Sequence, residues 1–317
     1  MTRAGGVALS LLASPLNFHI LKTLESEPKA LLDLRRSVGS PPQSTMRLYS
    51  RTLTEQGIID RRRRPEFPGS AEYLITEAGR DLLGVASVLE DWLRVAPEES
   101  ILLGSPMSKS ATKALVEGWS TNIVRALAAR PLSLTELNRL IPKVSYPSLE
   151  RRLGAMRLAG LVEPHPGDGR GTPYAATEWL RRAVAPIAAA AGWERQHRPK
   201  DSKAIGRLGV EAAFLLAVPL LEMPTDFKGR CRLAVEVQGG SSPVFAGVLV
   251  NFEEGKVISC SSRLEGEVEG WAVGTPEAWL GRMRGNGNGR TSMELGGDMA
   301  LAEALLNSLR AVAQAPV

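Results

Sequence analysis

Arg61-Arg62-Arg63-Arg64 places four guanidinium groups side by side. Such a tract repels itself and gains little by folding. Opposite a polyanion, each neutralised phosphate releases counterions, which makes phosphate binding the chemistry it suits. The plainer alternative is a solvated charge run. Two further polar sets are candidates for the same partner: Gln43, Ser44, Thr45, Arg47 and Arg51, and Ser145, Tyr146, Ser148, Arg151 and Arg152. Arg can grip guanine O6 and N7 together, Gln can read adenine, and Ser or Thr can bind a phosphate or a base. The alternative for each set is the solvated face of a helix. Arg170 and His165 are the remaining candidates.

No catalytic set stands beside them. His19, His165 and His197 are scattered and lack metal-ligand spacing. The Gly-rich run 285–289 lacks the following Lys-Ser/Thr of a phosphate loop. The reading is therefore a non-enzyme with no metal and no cofactor.

Of the 317 residues, 44% are hydrophobic and 23% charged, ordinary for a globular chain of two or three domains. The formal net charge is +5, unevenly spread. Residues 1–200 carry 28 Lys+Arg against 20 Asp+Glu, and residues 201–317 carry 11 against 14. A basic region fused to a slightly acidic one points to a polyanion partner for the first only. Cys231 and Cys260 are the two cysteines, too few for a disulfide scaffold. The N-terminal apolar run does not read as a signal peptide, and the apolar runs fall short of about 20 residues, the length of a membrane span. The expectation is a cytoplasmic protein with no membrane partner.

The elements that must position the polar sets form an internal repeat. Gly57-Ile58-Ile59 matches Gly160-Leu161-Val162 at an offset of 103. Ile20, Leu24, Leu31, Leu34 and Val38 match Ile123, Leu127, Leu134, Leu137 and Ile141 at that offset. Tyr73, Thr76, Glu77 and Trp92 match Tyr174, Thr177, Glu178 and Trp193 at an offset of 101. The two missing residues belong to an exposed loop.

Each copy predicts a first helix (Leu16–Leu24; Leu115–Ala128) and a second (Leu31–Val38; Leu134–Ile141). A turn then leads to a third helix (about Pro42–Gln56; Ser145–Ala159). Gly57 or Gly160 stops it. A two-stranded hairpin and a long final helix follow. This is the winged helix-turn-helix order, in which the third helix enters a major groove and the wing lies on the backbone or in the minor groove. The wings are unequal: the first carries the Arg tetrad, the second only Arg170 and His165.

The second copy resembles the HxlR family of bacterial winged-helix regulators over about residues 112–197. The carrying residues are Leu115-Val116-Glu117-Gly118-Trp119, Leu134-Thr135-Glu136-Leu137, Ser148-Leu149-Glu150-Arg151-Arg152-Leu153, Ala159-Gly160-Leu161-Val162, Tyr174, Thr177-Glu178 and Trp193. The first copy reads as a more diverged relative, through Leu53-Thr54-Glu55-Gln56-Gly57 and Tyr73-Leu74-Ile75-Thr76-Glu77-Ala78-Gly79-Arg80. The family usually carries one module and binds operators as homodimers. The resemblance therefore implies a pseudo-dimer within one chain, reading two different half-sites. Trp92 and Trp193 would pack either between the modules or in plain core. Neither copy has the cysteine through which some members sense oxidants.

Residues 200–317 leave the repeat. A helix (about Lys203–Leu221), strand-like runs (Cys231–Val237, Phe245–Phe252, Lys256–Cys260, Val268–Val273), a helix to Met283, a short strand and a closing helix (Met299–Val312) make an α+β layer. Val273-Gly274-Thr275-Pro276-Glu277-Ala278-Trp279-Leu280 and Met293-Glu294-Leu295-Gly296-Gly297-Asp298-Met299-Ala300-Leu301 resemble the sterol carrier protein family. That resemblance implies an apolar ligand tunnel, with Phe214, Leu221, Phe245, Phe252, Trp271, Trp279 and Met283 as lining candidates; ordinary core is the alternative for each.

The sequence thus predicts an α+β chain with two tandem winged helix-turn-helix domains (1–100 and 101–199) and a sterol-carrier-protein-like domain (200–317) that senses a ligand or dimerises. The expected function is sequence-specific regulation of transcription on double-stranded DNA, with repression favoured. An apolar small-molecule effector and a homodimer are the further partners this reading admits. A protein-interaction scaffold and a lipid carrier are the alternatives.

Overall fold

A computed structural model describes residues 5–63, 71–117, 121–167, 171–198, 206–239, 242–284 and 293–314. The first ninety-odd residues run α1 (Gly6–Leu12), α2 (Pro15–Ser26), β1 (Lys29–Ala30), α3 (Leu31–Ser37), α4 (Gln43–Glu55), β2 (Ile59–Arg63), β3 (Ala71–Ile75) and α5 (Glu77–Arg94). Local chemistry sets the joints. Gly39 and Ser40 take φ of 87° and 55° between α3 and α4, and Arg35 Nε donates to Pro41 O at 2.6 Å across that turn. After α4, Gly57 sits at φ 71°. Its N–H reaches Thr54 O at 2.9 Å and Ile58 N–H reaches Leu53 O at 2.9 Å, the paired bonds of a Schellman stop. Thr76 then caps α5: its hydroxyl accepts from Gly79 N at 3.1 Å and faces Gly57 O and Ile58 O at 2.8 Å each.

The same order recurs in α6 (Pro106–Glu117), α7 (Thr121–Ala129), β4 (Leu132–Ser133), α8 (Leu134–Leu140), α9 (Tyr146–Leu158), β5 (Val162–Pro164), β6 (Pro173–Ala176), α10 (Glu178–Arg182) and α11 (Val184–His197). The helix stop and the threonine cap repeat bond for bond, whereas among the described residues the α8–α9 turn has no counterpart of the Arg35–Pro41 bond. Gly160 also takes φ 71°, Leu161 N–H reaches Met156 O at 2.9 Å, and Gly160 N–H reaches Arg157 O at 3.0 Å. Thr177 accepts from Leu180 N at 3.2 Å and donates toward Gly160 O and Leu161 O.

The expected helix Leu115–Ala128 falls on α6 and α7, and residues 118–120 lie outside the described residues. Two sequence expectations need correction. The long final helix is continuous only in the first copy; in the second it breaks at Ala183, between α10 and α11. Each hairpin also gains a third strand from the residues before its second helix, in the orders β1-β3-β2 and β4-β6-β5. Two-residue strands carry too little periodicity to read.

The last third opens with α12 (Arg207–Ala217) and a 3-10 turn (Val218–Leu220). It continues through β7 (Gly229–Gly239), β8 (Ser242–Glu253), β9 (Lys256–Ser261), β10 (Gly270–Gly274), α13 (Pro276–Arg284), β11 (Glu294–Gly297) and α14 (Met299–Gln314). The five strands form one sheet in the order β11-β10-β7-β8-β9, with only the β10-β7 pair parallel. The β8-β9 hairpin turns on Glu254 and Gly255, both at positive φ (50° and 74°), as a two-residue primed turn requires. Cys231, Leu233, Val235, Val237, Ala246, Val248, Val250 and Phe252 alternate onto the buried face of the sheet. The overall class is α+β.

The apolar run near the N-terminus is core. Leu9, Leu12, Ile20 and Leu21 are each at most 1% exposed. No single helix among the described residues is long and apolar enough to cross a membrane; α1 and α2 together pass by length and composition, bent by 84°. The start of α1 is held by a residue far along the chain. The Glu194 carboxylate, 4% exposed, accepts from Gly5 N at 2.7 Å, Val7 N at 2.6 Å and Ala8 N at 3.1 Å. It thereby satisfies the N–H groups a helix start leaves without partners. Glu194→Ala is expected to cost roughly 2–4 kcal/mol in urea unfolding, because three buried donors lose a charged acceptor. A loss below about 1 kcal/mol would show that α1 is not held there.

Candidate nucleic-acid interface

Helix α4 buries Met46, Ser50 and Leu53 and turns its other side outward. Gln43, Ser44, Arg47 and Arg51 are exposed and Thr45 is half-buried. Arg51 is paired with Glu55 at 3.2 Å, one helical turn on. Leu48, 54% exposed, shares the outward side. Sequence reasoning passed over Leu48 because it sought polar groups, although its angular position on the helix is legible. An apolar side chain there is suited to a thymine methyl.

Helix α9 buries Leu149, Leu153 and Met156. Ser145, Tyr146 and Arg151 are exposed; Ser148 and Arg152 are half-buried on its flanks. At the repeat offset of 103, Glu150 stands where Arg47 does, Gly154 where Arg51 does, and Arg151 where Leu48 does. The two third helices therefore offer different surfaces: Arg47, Leu48 and Arg51 on one, Glu150, Arg151 and Gly154 at the equivalent positions of the other.

The described part of the Arg tetrad is strand. Arg61, Arg62 and Arg63 continue β2 and pair in register with Tyr73, Glu72 and Ala71 of β3. Successive strand residues point to opposite faces. Arg61 and Arg63 thus share one face, opposite Tyr73 and Ala71. Arg62 lies on the other, directly across from Glu72, where opposite charges attract. Arg64, and Arg170 in the second wing, lie outside the described residues. His165 is exposed, and its N–H donates to Pro173 O at 2.9 Å.

The two copies are joined through their final helices by a reciprocal exchange. Trp92 Nε1 donates to Trp179 O at 2.8 Å, and Trp193 Nε1 donates to Ala78 O at 2.8 Å. Trp193 lies 101 residues after Trp92 and Ala78 lies 101 before Trp179, so the two bonds exchange equivalent positions at the repeat offset. Trp179 Nε1 also donates to Trp92 O at 2.8 Å, and the two indoles stack at 4.4 Å with 5° between planes. Trp92 and Trp193 are 0% and 1% exposed. Both are core and both lie between the copies, so the two options of the sequence coincide. Trp179 has no aromatic counterpart in the first copy, since Ala78 stands there, and nothing in the local pattern marked it.

The tunnel candidates of the last third do not gather around one space. Phe214, Leu221, Phe252 and Trp279 are 8%, 6%, 2% and 6% exposed. Phe214 meets Trp279 edge-on at 5.0 Å, and Trp279 Nε1 donates to Ala234 O at 2.9 Å. Met283 packs at the edge of this core. Phe245 is 45% exposed, and both it and Trp271 alternate onto the outer face of the sheet, away from Phe252. A period of two keeps residues of opposite parity apart, so a common lining for all seven is corrected here.

Burial pushes the thiols of Cys231 and Cys260 up to about 12. The carboxylates of Asp298 and Glu269 add to the first shift, and Arg181 opposes the second. Thiolate is the reactive form, so both cysteines are expected to resist iodoacetamide at pH 7.5 in the folded chain and to react once urea unfolds it. The folded thiols hold their protons above the 9.0 of an ordinary thiol. Their contribution to stability is thus complete below that pH and falls as pH rises toward 12. Unfolding midpoints at pH 8 and pH 10 check the sign.

Comparison with known proteins places these features. A stretch of 88 residues is 27% identical to an uncharacterized HTH-type transcriptional regulator of Halalkalibacterium halodurans, covering 27% of this chain and 78% of that protein. Another of 76 residues is 32% identical to an uncharacterized HTH-type transcriptional regulator of Methanothermobacter thermautotrophicus, covering 23% of this chain and 56% of that one. A family model described as HxlR-like helix-turn-helix matches residues 12–100, the copy whose motifs read as the more diverged. The chain carries an HxlR-like helix-turn-helix domain at residues 12–100.

Proposed function

We propose that the chain is a sequence-specific regulator of transcription that binds double-stranded DNA through two winged helix-turn-helix units, as a pseudo-dimer within one polypeptide. The observation that carries this reading is the reciprocal pair Trp92–Trp179 O and Trp193–Ala78 O. A contact in which i meets j and the equivalent of j meets the equivalent of i is the signature of a two-fold, isologous interface. Such an interface presents α4 and α9 as related readers. Their outward residues differ, so the two half-sites differ. Helix α12 of the last third packs against α7 of the second unit, which makes that third the place where a small-molecule signal would enter.

Footprinting on genomic fragments bound in gel shifts tests the reading. Two protected tracts of unlike sequence are expected, centred about one helical turn or a multiple of it apart, with one chain per duplex. Arg151→Ala should relax preference in one tract and leave the other. Equal binding to every sequence, or a requirement for two chains per duplex, would count against it.

A further inference from the structure

A cavity of about 550 Å³ opens where the second helix-turn-helix unit meets the last third. Its walls come from α7, the end of α8 with the turn after it, α12, and the end of β9. Three cations line it, Arg125, Arg130 and Lys143, and no carboxylate among the described residues does. Lys143 has no ion pair among the described residues. Arg130 is half shared with Glu136 at 3.2 Å. Arg125 holds buried Glu211 through Nε and Ser262 Oγ through Nη2 at 3.0 Å, leaving Nη1 without a hydrogen-bond partner among the described residues. Glu211 is itself shared with Arg207 at 2.7 Å. The lining also has an apolar part, Ala126, Ala129, Leu132, Leu140, Ile141 and Leu215, and a neutral polar one, Asn122, Ser261 and Ser262. Cys260 also lines the cavity, and its raised thiol pKa keeps it neutral there.

We infer that this cavity binds a small amphipathic carboxylate, its carboxylate among Arg125, Arg130 and Lys143 and its apolar body against the Leu140–Leu215 side. The volume lies within the range of small-molecule sites, about 300–1,000 Å³. Cations and apolar side chains lining one cavity suit such a ligand better than a bare phosphate, which would leave the apolar lining without a partner. The site is also placed to act on the third helix. Leu140 to Lys143 form the cavity wall, and Val144 N–H bonds Ile141 O at 3.1 Å just before α9 begins. Arg181 donates to Leu215 O at 3.0 Å and reaches toward Ala128 O, tying α10 to both α12 and α7. A ligand that draws α12 and the α8–α9 turn together would therefore re-aim α9; that regulatory half rests on the DNA-binding reading, while the binding half does not.

Calorimetry on the DNA-free full chain tests the site, with decanoate and indole-3-acetate as probes and their primary amides as neutral controls. At least one carboxylate should bind one-to-one with Kd below about 1 mM, and its amide about tenfold more weakly or not at all. Arg130→Gln with Lys143→Gln, both at exposed positions, should weaken the carboxylate about tenfold. Ala129→Trp, at the exposed mouth, should abolish binding by filling the space. Circular dichroism melts establish that each variant folds. Failure of both carboxylates to bind up to about 5 mM, equal binding of the amides, or unchanged binding in both variants would overturn the inference. Loss of DNA affinity in the double variant without carboxylate binding in the parent would assign these cations to DNA phosphates and overturn it too. A chain that binds carboxylate but no DNA keeps the site and sinks the DNA-binding reading with its regulatory half; a chain that binds DNA but neither carboxylate sinks the site and leaves the DNA-binding reading standing.

Discussion

Arg61→Gln with Arg63→Gln is expected to weaken binding to any duplex roughly tenfold or more at physiological salt, and to reduce the slope of log K against log salt by about two. The reason is the strand geometry. Both residues project from one face of β2, opposite Tyr73 and Ala71, neither of which is acidic. Two cations on one exposed face can reach two phosphates, and each phosphate neutralised contributes about 0.9 to the slope on B-DNA. Arg62→Gln should do less, since Arg62 faces Glu72 across the hairpin on the other side. The loss should be uniform across sequences because phosphate contacts position a protein without reading bases. Fluorescence anisotropy titrations over a range of NaCl concentrations, on specific and scrambled duplexes, measure both quantities. An unchanged slope in the double variant, or a larger effect from Arg62→Gln, would remove this wing face from the interface.

Trp92→Ala should be the most damaging single substitution for stability, at about 3–5 kcal/mol. It removes a fully buried indole, a stacked partner of Trp179 and one donor of the reciprocal exchange. Trp179→Ala should cost a similar amount, and the double variant less than the sum, because residues in contact are not additive. Trp193→Phe keeps most of the ring and loses the bond to Ala78 O, so about 1–2 kcal/mol is expected. Guanidinium unfolding curves check all four. A Trp92→Ala loss under about 1 kcal/mol would mean that the final helices are held together by other contacts. Separation of the helices would also uncouple α4 from α9, so the same variant should lose affinity for paired half-sites while keeping affinity for a single one.

The amino-acid sequence alone determined the features whose causes are local. Gly57 and Gly160 stop their helices because only glycine takes a left-handed φ without cost, and Thr76 and Thr177 cap the next helices through a hydroxyl two or three residues from its target. The order of the last third's strands and helices was legible for the same reason, down to the Glu254-Gly255 turn. Tertiary structure decided the rest. How Arg61 to Arg63 pair depends on β3, and that register put Arg62 on the opposite face from Arg61 and Arg63. Sheet parity separated Phe245 and Trp271 from Phe252, which the sterol carrier protein resemblance had grouped. Glu194 finds its donors 186 to 189 residues away, and Trp179 finds Trp92 at a distance of 87. The cationic cavity needs four elements from two parts of the chain. The Arg wing and the third helices could be found by reading residues in order because hydrophobic period, caps and turns act over a few residues. Which of their side chains share a surface depends on contacts between elements far apart in the chain, and no local pattern encodes those.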